Sequence, residues 1–318
     1  MPILIPGLCR SRNPKKAVWD KTEETMRIST AYQYDSYSRA VNDSHTKMTD
    51  AQTRVLTGRK IQTASDDPYG TTQILGINAL ETGTQQYQAN LSTAKGTLSA
   101  TESSLTDMSQ IIDQGYQLAL SGANDTMTQD GRNGMAAQVV ELQRRLLGLA
   151  NTKGSNGYVF AGQKTNIAPF TVSGNTVTYN GDSNKLIVQA DSNSTISVSS
   201  SPMPLIKDAY DRLETLRQNL LNGSSSQLST VSVADMQTSS QAFIQERGNV
   251  GAKLVTVQAF QDQHTRRLDD LKSRASDLQD VDMSTAITEY QAAATVYQAA
   301  LQVASSGFKT SLLDYIHG

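Results

Sequence analysis

Residues Tyr34, Tyr37, Val41, Ser44, Met48, Ala51 and Val55 follow one another by three and four positions without a slip, and this spacing constrains the fold more than any other feature. A helix whose apolar residues form so narrow a stripe buries them against another helix, in coiled-coil fashion. The alternation recurs near the other end of the chain through Ile287, Tyr290, Ala294, Tyr297, Leu301, Ala304 and Phe308. The two seams match in length and the chain between them must double back. The expectation is an antiparallel coiled coil made from both termini.

The first seam fades at Gly58, a helix stop. In the stretch "ASDDPYG", Ala64 to Gly70, Pro68 suits a first helical position, where its missing N–H costs nothing, and Asp67 suits the N-cap. Proline disfavours helical geometry in the residue before it, so residues 59–66 form a non-helical joint, centred on Ser65, Asp66, Asp67 and Pro68, between helices that need not be collinear. The second helix carries Thr84, Tyr87, Leu91, Ala94, Leu98, Thr101, Leu105, Met108 and Ile112 and stops around Ser121 to Asn124, after roughly 50 residues. A polar turn leads to a shorter helix with Met135, Val139, Leu142, Leu146 and Leu149 on one side.

From Gly154 to Ser201 the text turns to Gly, Asn, Ser, Thr and Val. "FTVSGNTVTYNG" alternates with period two around a Gly-Asn turn, and "KLIVQA" and "TISVSS" read as further strands. A helix from about Leu205 to Leu221 and a flexible "NGSSSQLS" follow. The longest seam runs from Met236 through Phe243, Val250, Val257, His264 and Leu271 to Leu278, roughly twelve turns. Its register breaks at "LQDVD", before the terminal seam begins.

The fold class is therefore mainly α: an antiparallel terminal coiled coil and a long-helix bundle, with a small β-rich inserted outer domain. The expected domains are 26–66 with 281–318 (coil), 67–153 with 202–280 (bundle) and 154–201 (β). Residues 1–25 hold the single Cys9, the single Trp19 and three of the seven prolines, and read as a non-native or unstructured leader, without the apolar core of a secretory signal.

Composition narrows the function. Hydrophobic content of 37% and aromatic content of 6% suit long helices with thin seams rather than a globular enzyme. Net charge is -2, and no basic cluster interleaves with aromatics, so nucleic acid is excluded as a partner. No P-loop, nucleophile elbow or metal-binding helix motif is present, and no cofactor is expected. Of the three histidines, His45, His264 and His317, two fall on or beside seams, where a hydrogen-bonded structural role is expected. The pairs Asp66/Asp67 and Asp280/Asp282 read as caps and joints rather than paired catalytic carboxylates.

The stretch "YQAAATVYQAALQVASSGF", Tyr290 to Phe308, contains no charged residue. Coiled coils display charge outward, yet here the outer positions are Ala292, Ala293, Val296, Ala299, Ala300 and Val303, which implies burial on more than the one side an internal partner covers. Neighbouring subunits would cover the rest. Its glutamines and serines make the stretch too polar for stable membrane insertion. Seams this poor in large residues bury little area, so the terminal pair is expected to order only on assembly.

"MRISTAYQY" at Met26, "VLTGRKIQTASDDPYG" at Val55, "RGNVGAKL" at Arg247 and "DVDMSTAITEYQAAATVYQAALQVASSGFKTSLLDYI" at Asp280 resemble the paired N- and C-terminal regions of bacterial flagellin-type axial proteins. Within that family, "ANTKGSNGYVFAGQKTNIAPF" at Ala150 is similar to the hook-associated proteins of the hook-to-filament junction rather than to filament flagellin. The resemblance implies an extracellular, non-enzymatic subunit secreted through the flagellar export apparatus with its chaperone. It implies a ring of copies, with another hook-associated protein on the hook side and flagellin or an adjacent junction protein on the filament side. The family pattern begins at Met26, which sets the preceding 25 residues apart. The rival readings are filament flagellin and a secreted tip or pore-forming protein.

Overall fold

The computed structural model describes residues 30–154, 156–174, 176–199 and 203–317; the leader, Met26 and the side chains at 30, 31, 203 and 308–317, Phe308 among them, lie outside the described residues. Four long helices dominate: α1 (Thr30–Thr57), α2 (Pro68–Gly122), and, after the elements that follow, α6 (Val233–Gln279) and α7 (Met283–His317). Between them lie α3 (Gln129–Ala150), six short strands, α4 (Met203–Leu221), the single turn α5 (Ser225–Gln227) and a π-helical turn (Leu228–Ser232). The chain divides into two compact units, one containing α1 and α7 and the other spanning Ile61–Asp280.

In the Ile61–Asp280 unit, α2 begins where the proline requires. Asp67 is extended (φ -153°, ψ 98°) and its side chain accepts a hydrogen bond from the Gly70 N–H, with Pro68 at the first helical position. Asp66 folds the preceding turn, its carboxylate accepting from the N–H groups of Gln62 (3.0 Å) and Thr63 (2.9 Å). Both aspartates thus organise backbone, as the sequence implied. Gly70 has no room for a side chain, since a Cβ there would come within 2.7 Å of Ile61 Cδ1.

The antiparallel pairing of α2 with α6 forms the centre of this unit. Asp113 accepts from Ser240 at 3.0 Å, Lys95 donates to Gln258 at 2.7 Å and Gln88 donates to Thr265 at 3.0 Å, so residues climb one helix as they descend the other. Met236, Phe243, Val250 and Val257 are fully buried from α6 against Leu91, Leu98, Leu105 and Ile112 from α2. At Gly115 both α4 and α6 press on α2: a Cβ there would sit 3.0 Å from Leu213 and 3.1 Å from the Met236 sulfur. α3 adds Val139, Leu142 and Leu146 to the same core.

The β segment forms three antiparallel pairs: β1 (Lys153–Gly154) with β2 (Gly157–Tyr158), β3 (Phe170–Ser173) with β4 (Thr176–Tyr179), and β5 (Ile187–Asp191) with β6 (Ser194–Ser197). Its apolar residues Phe160, Phe170, Val177, Ala190, Ile196 and Val198 belong to the core cluster of the helices. Strand pairs this short cannot bury a core of their own, so they borrow one. The chain turns sharply at Gly162 (φ +68°), where any side chain would strike the Asp182 carbonyl.

Between α3 and α4, Glu214 accepts two bonds from Arg217 (2.8 and 2.6 Å) and one each from Gln218 (3.1 Å) and Gln143 (3.2 Å). The Arg217 bonds foremost, and those from Gln218 and Gln143 after them, pull its carboxyl down to about 2 against the opposing effect of burial. A depressed carboxyl stabilises the fold above its ordinary range near 4.3 and loses that contribution as pH falls toward 2. Wild-type protein should therefore lose more stability between about pH 5 and 2 than Glu214→Gln, read from urea midpoints across that range. Asp67→Ala should lower the stability of the Ile61–Asp280 unit by about 1 kcal/mol in the same assay, with Asp67→Asn close to wild type.

Candidate assembly surface of the terminal helices

In the other unit, α1 and α7 run antiparallel. Gly58 O accepts from Val281 N at 2.9 Å, Arg54 lies 3.5 Å from Glu289, His45 meets the Tyr297 ring edge-on at 5.2 Å, and Tyr37 abuts Gly307. The open end is set by Gly58, whose φ of +68° turns the chain out of α1 and whose N–H returns to Arg54 O at 2.9 Å. Asp282 starts α7, its side chain accepting from the N–H groups of Ser284 (2.8 Å) and Thr285 (3.4 Å).

The seam between these helices is thin. Ser44 and Ala51 of α1 and Ala286 and Ala304 of α7 are its buried residues, with Tyr37, Val41, Met48, Val55, Tyr290, Ala294 and Tyr297 half-buried beside them. Ser44 satisfies its hydroxyl within its own helix, on the carbonyls of Ala40 (2.8 Å) or Val41 (2.9 Å), which lets a polar residue occupy a seam. The Arg54–Glu289 pair is exposed on both sides and adds little.

Three expected seam residues point elsewhere. Tyr34 is 61% exposed, and Ile287 and Leu301 are each 43% exposed. On α7 the inward positions are Ala286, Tyr290, Ala293, Ala294, Tyr297, Ala300, Ala304 and Gly307, so Tyr290, Ala294, Tyr297 and Ala304 of the expected line stay inward while the places of Ile287 and Leu301 pass to the residue before each. Small residues let the two helices approach closely: a Cβ on Gly307 would lie 2.7 Å from the Tyr37 ring. Reading the register from residue size favoured Ile287 and Leu301. The seven-residue recurrence of Ala286, Ala293, Ala300 and Gly307 was the signal that could have found these positions.

This displacement leaves the larger side chains outside. Val296 and Val303 are 58% and 56% exposed, and with the exposed Ala292 and Ala299 they form a second stripe of heptad spacing along one flank of the seam. Ile287 and Leu301 lie on the other flank. Beside Leu301 a groove of about 310 Å³ opens between the helices, lined by Tyr34, Tyr37, Val41 and Ala304. A stretch without charge from Tyr290 to Phe308, with exposed apolar side chains on both flanks of its internal seam, suits packing among several helices at once. Among the described residues no helix is long and apolar enough to cross a membrane, and no cluster of His, Cys, Asp or Glu could hold a metal ion.

Residues 28–165 match the family model of the bacterial flagellin N-terminal helical region. The chain is similar to flagellar hook-associated protein 3 of Escherichia coli K12, 31% identical over 147 residues that cover 46% of each chain. It is also similar to a flagellin of Listeria innocua, 27% identical over 151 residues, 46% of this chain and 52% of that one. The chain thus spans about half the length of the curated relatives it matches. Its fold is similar to the crystal structure of Bacillus cereus FlgL, with a TM-score of 0.56 and 19% identity over 63% of this chain and 99% of that one.

The cap at Gly58 gives a direct check on the pair. Gly58→Ala forces a side chain into left-handed geometry at a cost of about 1 kcal/mol. Amide exchange at Val281, which donates to the Gly58 carbonyl, should rise about fivefold, with the Leu98–Ile112 amides unaffected.

Proposed function

We propose that this chain, whose residues 28–165 carry the bacterial flagellin N-terminal helical region, is a non-enzymatic structural subunit of the extracellular flagellum that assembles at the junction between hook and filament. The single observation behind the mechanism is that α7, uncharged from Tyr290 to Phe308, leaves Val296, Val303 and Leu301 exposed, with Ile287 just ahead of that stretch, after its internal seam is filled. Copies join into a ring by burying these flanks against one another. The hook-side neighbour is another hook-associated protein, and the filament-side neighbour is flagellin or an adjacent junction protein. Delivery is through the flagellar export apparatus with its chaperone. The segment at Ser65, Asp66, Asp67 and Pro68 serves as the joint between the terminal coil and the rest of the subunit.

The match to hook-associated protein 3 supports the junction reading over filament flagellin, as does the brevity of the β segment. The flagellin match supports the alternative, a filament subunit. Removing the gene separates them. A junction subunit leaves hooks in place and flagellin released into the medium, whereas a filament subunit leaves hooks and no flagellin; normal flagella would overturn both readings.

The double substitution Val296→Asp, Val303→Asp tests the surface itself. Both positions are exposed, so the monomer should keep its stability within about 0.5 kcal/mol, while incorporation into hooks fails. Normal incorporation of the folded double variant would exclude this flank as a subunit contact.

A further inference from the structure

His264 is a fully buried ionisable group in the core of the Ile61–Asp280 unit. Its ring lies between Tyr87 of α2, centroids 5.8 Å apart, and Phe260 one turn earlier on α6, at 6.3 Å. Nε2 is 2.7 Å from the carbonyl oxygen of Ala190. A carbonyl only accepts, so Nε2 carries the hydrogen and donates. Nδ1 is closed off from solvent and has no hydrogen-bond partner among the described residues.

The acceptor is as specific as the donor. β5 pairs with β6 as Gln189 with Thr195 and Asp191 with Ser194, leaving Ala190 as the extra residue of a β-bulge. A bulge frees one residue from the ladder and re-aims its backbone. Here that residue is fully buried and its carbonyl meets the imidazole. The polar ties of this hairpin to the helices through Asn90, to Gln189 O at 3.3 Å, and Arg267, to Asp191 at 3.9 Å, are longer.

We propose that His264 is an acid-sensitive clasp, whose neutral ring fastens the β5–β6 hairpin to the α2–α6 pair and whose protonation releases it. The neutral ring fits because a bare Nδ1 requires no acceptor. A second N–H would be charged, enclosed and unpaired, which is the costly way to bury a polar group. Around the ring, α2 contributes Tyr87, β5 contributes Asp191, α6 contributes Arg267, and β6 carries no titratable side chain.

The test is amide exchange of residues 187–197 in the full chain at about pH 7.5 and 5, expressed as protection relative to the unstructured rate at each pH, beside the ¹⁵N spectrum of the His264 ring. Hairpin protection should fall about tenfold or more at the lower pH, with Leu98–Ile112 unchanged, as the ring gains its second proton. His264→Gln, whose side-chain amide offers a donor in place of Nε2, should keep the protection seen at pH 7.5 and lose the fall. Asp191→Asn should retain it. The proposal is overturned by equal wild-type protection at both pH values, by a fall that persists in His264→Gln, or by a ring still neutral when protection is lost. Should His264→Gln fail to fold, the wild-type ring and hairpin titrating together or apart decides the matter.

Discussion

The antiparallel contact between α2 and α6 is the constraint on which the larger unit depends. It fixes where α3 and α4 can add their apolar faces, and it supplies the floor on which the strand pairs rest. Its close packing depends on Gly115 on one helix facing Met236 on the other. Because the contact joins residues such as Gln88 and Thr265, 177 positions apart, neither helix is stabilised by its own neighbourhood in the sequence.

Much of this was legible in the residues. Three-four spacing located the faces of α2, α3 and α6, and the buried positions Leu91, Leu105, Val139, Phe243 and Val257 all lie on the lines read from it. Asp67-Pro68 marked the start of α2 because capping chemistry is local and needs no tertiary context. The strand at 170–173 was equally plain from its period-two alternation, and that at 187–191 from the β-branched run in "KLIVQA". His264 was read as a hydrogen-bonded structural residue and is one. What the sequence concealed was its partner, because a bulge at Ala190 depends on how two strands slip past each other and leaves no residue signature.

The terminal pair shows the opposite limit. Three-four spacing read through the larger residues put Ile287 and Leu301 in the internal seam beside Ala304, whereas the fold keeps Ala304 there and adds Ala286 and Gly307. Burial energy scales with area, so a seam of alanines contributes little per residue and gains instead from closeness of approach. A chain with one partner helix would invest its larger side chains inward. Keeping them outward fits the proposed packing of this helix against other subunits.

The polar residues along the seams bear on how the chain waits for itself. The sequence separation between Arg54 and Glu289, 235 positions, means that α1 leaves the ribosome long before α7 exists to cover it. At synthesis rates of about 5–20 residues per second the interval lasts tens of seconds at the slow end. Ser44 on α1 and Thr84, Thr97, Thr101 and Ser104 on α2 are buried in the finished fold, yet the hydroxyls of Ser44, Thr84, Thr97 and Thr101 bond to carbonyls of their own helix. Hydroxyls bonded to carbonyls four residues back leave no unmet polar group waiting for a partner, and a diluted apolar stripe offers a wrong neighbour little area to bury. The weak seam is thus also a safeguard against premature association while the second half of the chain is still being made.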